Sequence, residues 1–174
     1  MIFNRHVEVA MISHTGMVRS QNQDAAYADV PFLFIADGIG GLQEGNVASE
    51  LAIKTAANYA RGEILYKNKF KTDEDLLALM VASFSEANTV LQIYAEDKKI
   101  EMGTTLSGIM LANNRAFCCH IGDSPIMLLK GNKLRQLTQD HNLGDNGRNI
   151  LTKALGVNSF VEPEICSVPI RPGD

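Results

Sequence analysis

The stretch FIADGIGG, residues 34–41, decides how the rest of this chain is read. It continues an apolar run, Phe32-Leu33-Phe34-Ile35, that reads as a strand leaving a core. Asp37 falls where that strand ends. Gly38, Gly40 and Gly41 follow, with Gly45 just beyond. Glycine lets the main chain turn sharply and lets backbone oxygens approach a ligand closely. A strand-end carboxylate beside exposed peptide carbonyls is a hard-oxygen site, suited to Mg²⁺ or Mn²⁺. The same residues also suit a plain strand-to-helix turn in which Asp37 caps the following helix.

Outward from this turn, strand-like and helix-like blocks follow one another without repeats, low-complexity tracts or long linkers. Upstream, Val7 to Ser13 reads as a strand, His14-Thr15-Gly16 as a turn, and Ala25 to Tyr27 as a second short strand. Pro31 to Ala36 is the buried strand that carries Asp37 out. Downstream, a helix is expected from near Gly45 to about Arg61. Its apolar positions include Ala48, Leu51, Ala52, Ala56 and Tyr59, and Gly62 is the expected stop. Tyr66 to Lys71 is basic and loop-like. Thr72 to Asp75 resembles a capping box opening a second helix that ends near Asp97. Its stripe of Leu76, Leu77, Met80, Val81, Phe84, Ala87, Leu91 and Tyr94 reads as core.

Residues 104–136 have the pattern of a β-meander. Thr104 to Ala112 and Arg115 to Ile121 are joined by Asn113-Asn114, residues that accept the positive φ of a tight hairpin. Ser124 to Lys130 and Lys133 to Leu137 pair around Gly131-Asn132, and a last strand covers Glu164 to Pro169. Strands in two regions with two helices between them exclude regular βα alternation. They indicate one α+β domain, 1–174, with mainly antiparallel sheets.

Bulk properties narrow the function. The 174 residues are 45% apolar and 21% charged, ordinary values for a globular chain able to build a core. The net charge of −4 disfavours a nucleic-acid binder. No apolar run approaches the ~18–20 residues of a membrane span, and the start, MIFNRHVEVAM, lacks the apolar core of a signal peptide. Cys118 and Cys119 are adjacent on a strand and must point to opposite faces, so they cannot both serve one metal. With Cys166 they read as reduced thiols in a cytoplasmic protein.

Other blocks accompany the glycine turn: MVRSQNQD (17–24), MGTTLSG (102–108), HIGDSP (120–125), LTQDH (137–141) and LTKALG (151–156). In this order they resemble the metal-dependent serine/threonine phosphatases of the protein phosphatase 2C type, in their bacterial form. The resemblance runs from about Val7 to the last residue. It implies the family's fold, an antiparallel β-sandwich flanked by antiparallel helix pairs. It also implies dephosphorylation of phosphoserine and phosphothreonine in proteins by a metal-activated water. The cofactors would be two Mn²⁺ or Mg²⁺ ions, with a third in bacterial members. The implied partner is a phosphorylated protein, the product of a serine/threonine kinase in bacterial signalling, with neither nucleic acid nor membrane involved.

Residue by residue, the resemblance assigns Asp37 as the carboxylate bridging two metals and Gly38 as a carbonyl ligand to one of them. Arg19 matches the arginine that holds the substrate phosphate, a role its planar two-pronged donor suits. Asp24 matches an acidic residue at the metal cluster, and Asp123 the aspartate that helps bind the third metal. Gln23 stands where many relatives have Glu, and its amide can orient a water. Thr104 and Thr105 are expected behind the metal cluster as support. His120 reads as a core or rim histidine, while Asp140 and His141 read as a structural pair.

Some positions depart from the family pattern. Ile39 stands where many eukaryotic members carry a histidine proposed as general acid, as bacterial members also do with an apolar residue. Pro125 replaces a common arginine, and Asn142 to Asn149 is shorter than the usual flap. The chain stops at Arg171-Pro172-Gly173-Asp174, before the segments in which the family places two further metal-binding aspartates. This implies weak activity in the chain as given, an unpaired position in the central sheet, and a strand-exchanged dimer as one way to fill it. The alternative reading is a pseudophosphatase, a phosphoprotein-binding module with an incomplete metal centre.

Overall fold

The computed structural model describes residues 7–40, 42, 44–66, 72–144 and 150–174. Two helices and seven strands appear among them: β1 (Asp24–Asp29), β2 (Phe32–Asp37), α1 (Gly45–Tyr66), α2 (Asp73–Lys98), β3 (Leu106–Ala112), β4 (Arg115–Ile121), β5 (Met127–Lys130), β6 (Lys133–Gln136) and β7 (Glu164–Pro169). The main sheet has the order β1-β2-β3-β4-β7 and is antiparallel at every pairing. The α+β class with antiparallel sheets is therefore the architecture observed.

The pleat sorts side chains between two cores. On β2, Phe32, Phe34 and Ala36 are buried while Leu33 and Ile35 point the other way. The first set meets Met80, Phe84 and Leu91 of α2, together with the small Ala48, Ala52 and Ala56 of α1. Phe34 is central here, with ring centroids 6.2 Å from Phe32 and 6.4 Å from Phe84. Truncating such a ring to alanine costs about 3–5 kcal/mol. Gly108 of β3 lies under it, where a Cβ would sit 2.6 Å from the Phe34 ring.

A smaller core lies on the opposite face, where Leu111, Ala116, Cys118 and Ile126 gather with Leu33, Leu137, Cys166 and Val168. Cys119 belongs to the helix-side core and Cys118 to this one, as their adjacency on a strand requires. The second layer of the expected sandwich is represented, among the described residues, by the hairpin β5–β6 and the segments covering this second core.

Local signals explain most boundaries. Thr72 caps α2, accepting from the Asp75 backbone while Asp75 reaches back to the Thr72 N–H. Asn113 and Asn114 take φ of 51° and 59° in the β3–β4 turn. Four expectations need correction. α1 passes through Gly62 to Tyr66, because Gly62 sits in open space and Ile64 beyond it still packs on the core. Val7 to Ser13 joins no strand ladder. Thr104 and Thr105 precede β3, with Thr104 making isolated bridges to Gly38 and Leu155. Ser124 to Ile126 lie outside β5.

Among the described residues the main sheet runs β1-β2-β3-β4-β7 without interruption, and its open edges are β1 and β7. By length and composition α2 is apolar enough to cross a membrane, which the run-length reading missed. Its Leu76, Met80, Phe84 and Leu91 are buried in the core. The expected loop at Lys67 to Lys71, Gly41 of the glycine turn, and most of the short flap, 145–149, lie outside the described residues.

Candidate active site

Asp24 opens β1 and Asp37 closes β2, so the two stand opposite one another at the free end of the hairpin. Residues paired in this way project from the same face of the sheet. Here it is the face turned away from the helices, since Phe34 and Ala36 fill the other. The Asp24 carboxyl lies close enough to act on the titration of Asp37. Asp37 is exposed by area, yet its surroundings are dense enough to cost it hydration. That loss comes first, followed by the charge and hydrogen bond of Asp24 and the charge of Asp123. Together they raise the Asp37 pKa to about 6, against a smaller opposing pull from Arg19.

The backbone of Asp37 is clamped. Its N–H donates to Thr105 Oγ1 at 2.9 Å, and its carbonyl accepts from Thr104 Oγ1 and the Thr105 N–H, both at 2.9 Å. Thr105 Oγ1 in turn meets Ser124 Oγ at 2.7 Å. The two threonines thus stand behind the carboxylate, where they were expected.

Gly38 follows in a space that admits nothing larger. Its N–H donates to the Gln23 carbonyl at 3.0 Å, and a Cβ at Gly38 would lie 2.0 Å from the Gly45 carbonyl oxygen. Among the described residues no donor reaches the Gly38 carbonyl. The side-chain amide of Gln23 packs within 2.9 Å of where a Cβ on Gly40 or Gly45 would sit. Gln23 therefore braces the glycine turn. Arg19 reaches the same turn from outside, with Nη1 3.1 Å from the Cβ position of Gly40. It makes no ion pair with another described residue.

Asp123 arrives from the end of β4. Gly122 before it has φ of 107°, and a Cβ there would strike Thr105 at 2.5 Å, so only glycine brings Asp123 alongside. His141 holds this turn from both sides: its Nδ1 accepts from the Gly122 N–H at 3.1 Å, and its own N–H donates to the Gly122 carbonyl at 2.7 Å. Asn142 Nδ2 reaches Asp123 Oδ2 at 3.4 Å. Asp140 does not pair with His141; its carboxylate takes a bond from Gln136. His120 is fully buried, with Nδ1 2.8 Å from Ser107 Oγ and Nε2 without a partner. Burial lowers its pKa and keeps it neutral.

These residues surround one cleft of about 870 Å³ that brings together Arg19, Asp24, Asp37, Gly38 and Asp123. The far wall, Ile150 to Thr152 with Val157 and Asn158, was not foreseen. A second unforeseen residue holds it. Asn88, buried in the apolar stripe of α2, accepts from the Gly156 N–H at 2.8 Å and donates to the Asn158 carbonyl at 3.1 Å. An asparagine interrupting an apolar stripe was the available signal.

The donor set is hard oxygen. Two carboxyls this close at neutral pH call for a proton or a cation between them, and the raised Asp37 pKa reflects that need. In kind, these residues fit a divalent cation such as Mn²⁺ or Mg²⁺. In number they are few: among the described residues no group of three or more His, Cys, Asp or Glu is placed to hold an ion unaided.

A family model described as protein phosphatase 2C matches residues 16–155. The chain is 34% identical over 180 residues to the serine/threonine protein phosphatase PstP of Mycobacterium tuberculosis, covering 93% of this chain and 33% of that protein. It is 30% identical over 182 residues to the serine/threonine phosphatase stp of Listeria welshimeri, covering 91% of this chain and 71% of the relative. Among solved structures, the catalytic domain of the phosphatase PstP in complex with two manganese ions superposes with a TM-score of 0.73 at 34% identity. That alignment covers 90% of this chain and 69% of the other. The chain thus spans about a third of the mycobacterial protein and about seven tenths of the Listeria one.

Proposed function

The chain belongs to the protein phosphatase 2C family, and we propose that it removes phosphate from phosphoserine and phosphothreonine in proteins, with divalent metal held at Asp37. One observation carries this reading. Asp24, Asp37 and Asp123, drawn from three separate stretches of chain, converge with Arg19 on a single cleft. A bound pair of divalent cations, Mn²⁺ or Mg²⁺, would supply neutralisation of the phosphoryl oxygens and a nucleophilic water near neutral pH.

The chain's own groups do the rest. Asp37, ionised once the pH exceeds its raised pKa, presents with Asp24 the carboxylates that hold the cations. The Gly38 carbonyl adds a neutral oxygen, and Asp123 contributes from the β4 end. Arg19, with no competing carboxylate partner among the described residues, offers its fork to two phosphate oxygens. Thr104 and Thr105 fix the Asp37 backbone, so its carboxylate does not have to be ordered when substrate arrives.

In this reading the substrates are proteins phosphorylated by a serine/threonine kinase, and the setting is the cytoplasm, which the free thiols of Cys118, Cys119 and Cys166 support. A second copy of the chain would find unpaired backbone groups at the open edges β1 and β7. A second reading, a phosphoprotein-binding module, is favoured by the small number of acidic groups placed around the cleft.

The deciding experiment follows phosphate release from a phosphothreonine peptide with and without millimolar Mn²⁺. Metal-dependent release that Asp37→Asn abolishes supports the enzyme. Peptide binding with no release at any metal concentration supports the module.

A further inference from the structure

Cys118 and Cys166 are direct partners across the β4–β7 pair, and both side chains enter the small core on the face away from the helices. Partnered positions on antiparallel strands bring Cα atoms to about 4.5–5.5 Å, within the range of about 4.4–6.8 Å that a disulfide spans. The Cys166 thiol donates to the Leu137 carbonyl at 3.7 Å. The two thiols differ in access: Cys118 is wholly buried, whereas Cys166 is partly exposed on an edge strand. Neither lines the phosphatase cleft. Cys119, next in sequence, faces the opposite core and is out of reach of Cys166.

We propose that Cys118 and Cys166 are a redox-modification site, which a hydroperoxide converts from two thiols into a cross-strand disulfide. Cys166 is the entry point. Its thiolate attacks the terminal oxygen of the hydroperoxide, the O–O bond breaks, and hydroxide leaves from hydrogen peroxide or alkoxide from an organic hydroperoxide. Cys166 is then a sulfenic acid. The Cys118 thiol attacks that sulfur, its proton leaves with the departing hydroxyl as water, and the S–S bond forms. The two electrons lost by the thiols reduce the peroxide. The nearby Cys118 also lowers the Cys166 pKa to about 7, consistent with its role as the attacking thiol, while Cys166 raises that of Cys118. The bond would staple the edge strand β7 to β4 and is reversed by a dithiol reductant. This proposal is independent of the phosphatase reading.

The test treats the full chain with hydrogen peroxide, blocks remaining thiols with iodoacetamide, and maps peptides without reduction. Cleavage after Lys and Arg leaves Cys118 and Cys119 together on 116–130 and Cys166 on a separate peptide. The expected product is a linked pair of these peptides with a mass lower by two hydrogens, formed equally in Cys119→Ala and released by dithiothreitol. In Cys118→Ala the linkage should vanish, and Cys166 should instead gain two oxygens as a sulfinic acid. Linkage lost in Cys119→Ala but kept in Cys118→Ala would overturn the assignment. So would peroxide-treated parent chain that carries sulfinic acid at Cys166, or unmodified thiols, with no cross-link. Because the parent and Cys119→Ala leave the small core intact, a folding failure of Cys118→Ala does not decide the matter.

Discussion

Asp24 and Asp37 face each other across the open end of the β1–β2 hairpin, and the Asp24 carboxyl is close enough to make ionisation of Asp37 harder. In a metal-free protein this is an unfavourable arrangement that only a shared proton or a cation relieves. Replacing Asp37 by Asn should therefore raise the melting temperature of the metal-free protein near pH 7. The same change should remove the further rise that Mn²⁺ gives the parent. Thermal melts of both proteins with and without Mn²⁺ check this. A variant that melts lower than the parent and still responds to Mn²⁺ contradicts it.

The pH dependence follows from the same pair. Asp37 holds its proton up to about 6 in the folded chain, against an ordinary value of 3.8. Between those values the folded state binds more protons than the unfolded one. The Asp37 contribution to metal-free stability therefore falls as the pH rises from about 4 through about 6 and is level above. Mn²⁺ competes with that proton, so its affinity should climb over the same window. A pH series of melts, parent minus Asp37→Asn, reads the first effect. A difference that stays flat from pH about 4 to about 7 would count against the shifted carboxyl.

Arg19 is exposed and makes no ion pair with another described residue, so its loss should hardly touch stability. Arg19→Lys keeps the charge and removes the fork. KM for a phosphopeptide should rise about tenfold, equivalent to about 1.4 kcal/mol of binding, with the melting temperature unchanged. Steady-state kinetics on the folded variant decide; an unaltered KM means that Arg19 does not meet the phosphate.

Two glycines should respond in opposite directions. Gly38→Ala puts a methyl group 2.0 Å from the Gly45 carbonyl oxygen, a collision between two main-chain segments. It should cost about 3 kcal/mol or more. Gly62→Ala meets nothing within 4 Å inside α1 and should gain about 0.5–1 kcal/mol. Urea unfolding of both variants separates the two cases, and equal midpoints would mean that the turn is not packed as described.

Much of this architecture was legible where local chemistry dictates it. The Thr72 to Asp75 capping box, the Asn113-Asn114 turn and the β4 alternation that splits Cys118 from Cys119 all depend on near neighbours in sequence. What could not be read depends on distant partners. Val7 to Ser13 has a strand's composition but joins no strand ladder among the described residues. Gly62 looks like a helix stop until Ile64 is seen to pack beyond it. The acidic residues of the cleft were recognisable from their motifs, and the fold brings Asp24, Asp37 and Asp123 together. The wall that Asn88 pins through Gly156 and Asn158 was not foreseen, because the asparagine that interrupts the α2 stripe does not tell which segment, here 68 residues away, it will meet. The packing of the Gln23 amide against Gly40 and Gly45 was a further contact that the sequence did not show.

The central claim is that Asp37 anchors divalent metal in this cleft. Its most direct test is a calorimetric titration of Mn²⁺ into the parent chain and into Asp37→Ala, at a pH above about 7 where the parent carboxyl is ionised. The account predicts saturable binding to the parent and an affinity at least about tenfold weaker in a variant that still unfolds cooperatively. Equal Mn²⁺ affinity in the folded variant would contradict it.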